Sequence, residues 1–367
     1  MWSFATVTLA GLSLLCVITT LLPFFPPAHG LYRVFDFPRL QNATLGLVGL
    51  LATVAVFPLE GWGVVIASGF AASVLVQAWH IARFSPLWPR RSLDYVPNQD
   101  GEKAPHVRLF VSNVKQSNQD TRKTLDLIHH MEPDVALFME TDQLWADALD
   151  ELKSHYRHTM RAVLSNGYGM MLYSRLRLAN HQIQYLLNDE VPSFHADIVT
   201  PTGARFRFIA LHPEPPVIHE TTVGRDAEIM QVATIVRKND DPVIVCGDLN
   251  DVAWSRTTRR FLRVSRLLDP REGRGMFNTF DARFFFLRWP LDHIFHSPHF
   301  QLVDMQRMPF TGSDHFPMHY TLALTTKDEP RREMDEADEQ DMAEAKELIE
   351  EEKKRDPHPP IGHDWEI

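Results

Sequence analysis

The hydrophobic pattern of the chain changes character near residue 85. Before it, three apolar stretches follow one another: Trp2 to Phe25, without a single charge, then Asn42 to Pro58, then Val64 to Phe84. Each is about as long as a helix needs to cross a bilayer. The first lacks a basic leading region, is too long for a signal peptide and is followed by further apolar sequence, which argues against cleavage. The short EGWG at 60–63 predicts a tight helical hairpin between the second and third spans, and Trp62, Trp79 and Trp88 fall near span ends, where indole rings favour the interface. A bundle of buried soluble helices is the alternative. Arg33 and Arg39 in the first loop and Arg83, Arg90 and Arg91 after the third span, against Glu60 in the hairpin, place the first loop and the following domain in the cytoplasm and the N-terminus outside.

After residue 85 the periods shorten. Residues 86–104, PLWPRRSLDYVPNQDGEKA, are rich in proline and polar groups and read as a linker. From 105 to 325, strand-like runs such as VRLFVSNV, DVALFM, GMMLYS, RFRFIAL, PVIVCG, LDHIFHS and MHYTLAL alternate with helical stretches such as KTLDLIHHM. Many short β-rich runs with a few helices predict two packed sheets flanked by helices, an α+β domain. Residues 326–367 form a charge run that reads as a largely disordered tail, with a short amphipathic helix through Ala345, Leu348 and Ile349 as the alternative.

Charge follows the same division. The net charge is -10, but residues 327–367 alone hold 16 acidic and 7 basic residues, leaving 31 acidic and 30 basic over the rest. The folded part is therefore near neutral. Cys16 and Cys246 both sit in apolar runs and make no disulfide framework.

Candidate chemistry gathers at strand ends. In VIVCGDLND, 243–251, an apolar strand stops at Gly247 and sets Asp248, Asn250 and Asp251 within four positions. Such residues make ordinary turns; they would also suit a metal-assisted phosphoester site. Asn113 ends VRLFVSN, Glu140 ends DVALFME, His212 ends FRFIALH, Asp292 and His293 open LDHIF, and Asp314 and His315 lie in TGSDHFP. Each alone has a structural explanation, but together they line one rim of the sheets with carboxylates, amides and imidazoles. Asp251 reads as a turn residue, and alternation points His293 away from Asp292.

Asn113-Val114, PDVALFME, GMMLYSR, ALHPEPP, VIVCGDLN, LDHIFHS and GSDHFP, in this order, resemble the endonuclease/exonuclease/phosphatase superfamily over about residues 105–325. The resemblance implies the DNase I-like fold, a four-layer αββα sandwich, here preceded by about three transmembrane helices, as in membrane-anchored bacterial members. It places the chain in a bacterial inner membrane as a multi-pass protein. It also implies a phosphoric ester hydrolase, a phosphodiesterase or nuclease-like enzyme, that depends on Mg²⁺ or Mn²⁺. Glu140 is then the main metal ligand, with Asn113 and Asp314 nearby. Asp248 orients or deprotonates the attacking water and Asn250 holds the nucleophile or a phosphate oxygen. His315, paired with Asp292, stabilises transition-state charge, and His212 contacts the phosphate or assists the leaving group. One position departs from the relatives that cleave at abasic sites: Lys115 stands where they carry an acid.

The substrate stays open between nucleic acid and phospholipid. Between Arg256 and Arg288 nine arginines face only Asp269, Glu272 and Asp281. They suit phosphate contacts, lipid head groups beside the bilayer, or simply a solvated helix face. FDARFFFLRW, 280–289, adds aromatics that could stack on bases, touch lipid or form a buried strand. A calcineurin-like metallophosphatase fits GDLND but lacks its other motifs. A membrane-tethered binding module that has lost its chemistry, or a phosphoinositide phosphatase-type activity, are the remaining alternatives.

Overall fold

A computed structural model describes residues 4–97, 104–325 and 334–355. Trp2, residues 98–103 of the expected linker, and residues 326–333 and 356–367 of the tail lie outside the described residues.

Three N-terminal helices are long and apolar enough to cross a membrane: α1 (Phe4–Leu21), α3 (Arg39–Val56) and α4 (Trp62–Ile81), the last prolonged to Phe84 by a 3-10 turn; the short α2 (Gly30–Arg33) lies between the first two. They pack through small residues, as spans do where only close contact can hold them together. A Cβ on Gly49 would come within 2.4 Å of the Phe70 ring. Polar side chains meet inside the bundle: Ser13 donates to the Ile66 carbonyl at 3.0 Å, Asn42 to Thr19 at 2.8 Å and Gln77 to Thr20 at 2.9 Å. Leu14, Leu47, Leu51, Val65 and Leu75 face outward.

The domain that follows contains β1 (His106–Asn113), α5 (Thr121–Met131), β2 (Val135–Met139), α6 (Gln143–Leu149), β3 (His158–Ala162), β4 (Met170–Ser174), β5 (Arg177–Tyr185), β6 (Pro192–Val199), β7 (Arg205–Ala210), α7 (Val223–Arg237), β8 (Val243–Asp248), α8 (Arg256–Ser265), β9 (Asp292–His296), β10 (Phe300–Arg307), β11 (Met318–Leu324) and α9 (Glu339–Lys353). The strands form a six-stranded sheet, β10-β11-β1-β2-β4-β3, and a five-stranded sheet, β5-β6-β7-β8-β9. Neighbours are antiparallel except for the pairs β1/β2 and β7/β8.

Alternation along the strands builds the layers. Val107, Leu109 and Val111 of β1 face the core between the sheets, where they join Phe194, Phe208, Ile244 and Ile294. Phe110, Phe138 and Tyr173 point the other way and pack on Leu125 and Ile128 of α5 and Trp145 of α6. Ile209, Val245 and Phe295 cover the opposite face, beneath Ile229 and Ala233 of α7 and Phe261 of α8. The expected four-layer αββα sandwich is the observed architecture.

Two expectations are corrected. The described part of the tail is a helix and not disordered: Asp338 caps α9 by accepting from the Asp341 N–H at 2.7 Å, and Ala345 and Ile349 pack into the α7–α8 layer. Its apolar positions are four apart on one face, and a basic partner helix answers the acidic ones. Nor is the linker free over 92–95. Ser92 is buried against His296, 2.8 Å from its Nε2, and Tyr95 donates to the Leu302 carbonyl at 2.8 Å.

Candidate active site

One end of both sheets collects the polar residues. Asn113 closes β1 and Glu140 follows β2; His212 follows β7, Asp248 closes β8, and Asp292 opens β9. Gly247 makes this close approach possible. It has φ +144°, and a Cβ there would lie 1.9 Å from the Leu211 carbonyl oxygen, so only glycine lets β8 run so near the residue before His212. Glu140 and Asn250 have φ of 60° and 51°, in the left-handed region, which is costly for a glutamate and easier for an asparagine.

The Asn113 amide donates to Glu140 Oε1 at 2.7 Å and to Asp248 Oδ2 at 3.0 Å, bridging the two sheets. Asp248 Oδ1 accepts the Asn250 N–H at 2.9 Å, and the Asn250 amide donates to the Pro213 carbonyl at 2.9 Å. His315 Nδ1 lies 2.7 Å from Asp292 Oδ2 and its Nε2 lies 3.5 Å from Asp248 Oδ2. Burial works against charge on His315, but the carboxylates of Asp292 and Asp248 outweigh it and raise its pKa to about 10. The ring is therefore an imidazolium at neutral pH. His212 is the opposite case: burial lowers it to about 4 against the pull of Asp248, 4.0 Å away, so it is neutral. Both its ring nitrogens are buried without a hydrogen-bond partner among the described residues.

Glu140 is buried with two partners, the Asn113 amide and the Gln116 N–H at 3.2 Å. Burial pushes its carboxyl up to about 7, opposed by the Asn113 hydrogen bond and reinforced by the charge of Asp314. The Glu140 and Asp314 carboxylates offer the oxygen donors a hard divalent cation prefers, and the Asn113 Oδ1, which here accepts the Lys115 N–H at 3.0 Å, could add a third. Asp248, Asp292 and His315 also bring one possible ligand atom each within 4.8 Å of one another. Because His315 Nδ1 is already bonded to Asp292, the three also form a row suited to handling a proton.

Three side chains that the motifs did not single out as functional join the site. Lys115 Nζ lies 2.7 Å from Asp314 Oδ2, so the residue noted as a departure is the direct partner of an expected ligand. Arg283 lies 3.8 Å from the same carboxylate, and Phe280 sets its ring 4.9 Å from that of His315. Phe280 and Arg283 belong to the aromatic and arginine-rich segment noted in the sequence, but their partners at 314 and 315, like that of Lys115, lie too far along the chain for a local pattern to show. His293 is buried beneath the site, bonded to Arg271 and to the Asp251 carbonyl at 2.6 and 2.8 Å. Asp251 is more than a turn residue: it is buried, accepts the hydroxyls of Ser255 and Thr258, and lies 3.7 Å from Arg225.

The arginine-rich segment is largely engaged by the chain itself. Arg256 donates to Glu344 at 2.6 Å, Arg263 to Asp341 at 2.6 Å and Arg260 to both Asp341 and Glu344 of α9; Arg271 pairs with Asp269 and Arg274 with Asp94.

Residues 107–315 match the profile of the Endonuclease/Exonuclease/phosphatase family. The chain belongs to this family. Its members are phosphoester hydrolases, generally dependent on a divalent metal. Among solved structures, the chain is similar to the human nocturnin catalytic domain, at 17% identity with a TM-score of 0.50, over 64% of this chain and 98% of that one. It is also similar to the endonuclease/exonuclease/phosphatase from Bacteroides vulgatus, at 16% identity with a TM-score of 0.50, over 60% of this chain and 99% of that one. At such identities the likeness concerns the fold. No curated protein matches the chain in sequence.

Proposed function

We propose that the chain is a membrane-anchored, divalent-metal-dependent phosphoester hydrolase, with its catalytic domain on the cytoplasmic face of a bacterial inner membrane. The observation that carries the chemical reading is the buried row Asp292–His315–Asp248, spaced 2.7 and 3.5 Å, beside Asn113 and Glu140. In this reading Asp248 orients a water and accepts its proton as the water oxygen bonds to phosphorus and the ester P–O bond breaks. His315, kept protonated by Asp292, offers Nε2–H to the phosphoryl oxygens as charge builds on them. Asn250 fixes the position of Asp248 through its backbone N–H, while its side-chain amide is anchored on the Pro213 carbonyl. His212, neutral and with both nitrogens uncommitted to the described residues, donates a hydrogen bond to the phosphate or to the leaving oxygen. A Mg²⁺ or Mn²⁺ ion held by Glu140, Asn113 and Asp314 would polarise the phosphoryl oxygen.

The test is hydrolysis of bis-p-nitrophenyl phosphate by the full chain in detergent, with Mg²⁺ or Mn²⁺ and with EDTA. Metal-dependent turnover that disappears in Asp248→Ala and His315→Ala, both still folded, is expected. An inert wild-type protein sinks the reading, and an unchanged rate in either variant removes that residue from it.

A further inference from the structure

The FDARFFFLRW segment leaves the catalytic description with three consecutive phenylalanines facing solvent: Phe284, Phe285 and Phe286 are 46%, 82% and 56% exposed. Scattered exposed apolar residues need no account, but three adjacent aromatic rings form a patch that does. They neither pack in a strand nor line the site.

Two contacts fix where the patch lies. The Gln41 amide, in the first turn of α3, donates to the Phe286 carbonyl at 2.8 Å. Trp289 packs edge-on against Phe37, just before the same helix, with centroids 5.8 Å apart. The tip of the loop is thus pinned to the mouth of a helix that is long and apolar enough to span, and whose outer residues Leu47, Val48 and Leu51 are exposed. At the other end of the loop the Phe280 ring lies 4.9 Å from that of His315, tilted by 47°, and Arg283 approaches Asp314. Six residue steps separate Phe280 from Phe286, at most about 20 Å of chain. Arg288, bonded only to the neutral carbonyls of Phe284 and Ala282, flanks the rings and places a cation where anionic head groups would sit, whereas Arg283 is paired with Asp281.

We propose that Phe284–Phe286 are a wedge that enters the head-group and acyl boundary of the bilayer, and that the substrate is the phosphoester of a membrane lipid. This rests on the membrane-anchored hydrolase reading above and deepens it by naming the substrate class. Aromatic rings inserted beside a span hold the cleft against the lipid surface, so a lipid reaches Asp248 and His315 by lateral diffusion. The rival, base stacking on a nucleic acid, has less support because α9 occupies the basic face of α8 that would hold a backbone.

The experiment uses the full chain in nanodiscs of phosphatidylcholine and phosphatidylglycerol. Both native cysteines are buried, so Phe285→Cys accepts a single environment-sensitive nitrobenzoxadiazole label. The expected result is emission shifted to the blue and quenched by shallow doxyl-labelled lipid; water-like emission that doxyl lipid does not quench overturns the wedge. In the second arm Phe284→Ser, Phe285→Ser and Phe286→Ser are combined. Phosphate or head-group release from phosphatidylglycerol, a phosphatidylinositol phosphate and sphingomyelin is compared with bis-p-nitrophenyl phosphate hydrolysis. At least a tenfold loss on lipid, with the soluble ester within twofold, is expected. Equal effects on both, or a wild type that cleaves the soluble ester or an oligonucleotide but none of the lipids, overturn the lipid assignment. A wild type inert on every substrate sinks the hydrolase reading instead, while the label still decides insertion.

Discussion

At the residue scale, the pair His315–Asp292 separates charge from geometry. A hydrogen bond from His315 to an uncharged acceptor at 292 would keep the ring in place, but the carboxylate charge that favours the imidazolium would be gone. Asp292→Asn is therefore expected to lower kcat on bis-p-nitrophenyl phosphate by about 10²–10⁴ with KM changed far less, the range usual for losing an acid–base partner. Steady-state kinetics check it, and a rate within threefold of wild type would show that the charge is dispensable. Asp248 and Asp292 could be placed from the sequence because each ends or opens an apolar run, a strand end readable without tertiary knowledge, whereas Asn250 and His315 lie in loops and rested on the GDLN and GSDHFP motifs. The contacts of Lys115 and Arg283 with Asp314 were not legible, because Asp314 lies far away in sequence and they exist only once the sheets have packed.

At the scale of elements, α9 and the strand histidines carry the consequences. The acidity of the tail hid α9: charge dominates the segment, and the stripe formed by Ala345 and Ile349 means little until α7 and α8 are there to receive it. Asp341 is buried and accepts from both Arg260 and Arg263. Asp341→Ala leaves two guanidinium groups short of a partner and is expected to cost about 1–3 kcal/mol, a drop of several degrees in Tm by calorimetry. An unchanged Tm would mean that α9 is not docked in solution. On β6 and β9, burial lowers His195 and His296 to about 4. Their unfolded value is about 6.5, so the unfolded chain takes up protons first as the pH falls. The stability they contribute is present above pH ~6.5 and lost on the way down to ~4. His195→Gln should flatten the fall of Tm over that window, and an identical slope in variant and wild type would contradict the assignment.

At the scale of the whole molecule, the first loop is a part of the domain's surface. Gly30 donates to the Glu220 carbonyl at 2.8 Å, Thr222 to that of Ala28 at 2.9 Å, and Arg33 lies 3.8 Å from Asp226. A Cβ on Gly30 would fall 1.8 Å from the Val217 carbonyl oxygen, so the loop is fitted there closely. Arg39 is likewise committed, donating to Asp36 at 2.5 Å and Gln77 at 2.9 Å. Two of the arginines that argue for a cytoplasmic loop thus have structural work, and they weigh less as topology signals than a count implies. Contact is the firmer argument: if α1, α3 and α4 span, the loop and domain share one side, and the N-terminus and the hairpin at 57–61 share the other. Leu59 in that hairpin and Gln182 on β5 are both exposed, and the two native cysteines are buried. An impermeant maleimide should label Leu59→Cys in spheroplasts and Gln182→Cys only in inverted vesicles. The reverse pattern would put the domain outside and keep the three spans. Labelling of both positions from the same side would show that α4 and, with the loop–domain contacts, α3 as well do not cross the bilayer, and the wedge formed by Phe284–Phe286 would lose the surface it needs.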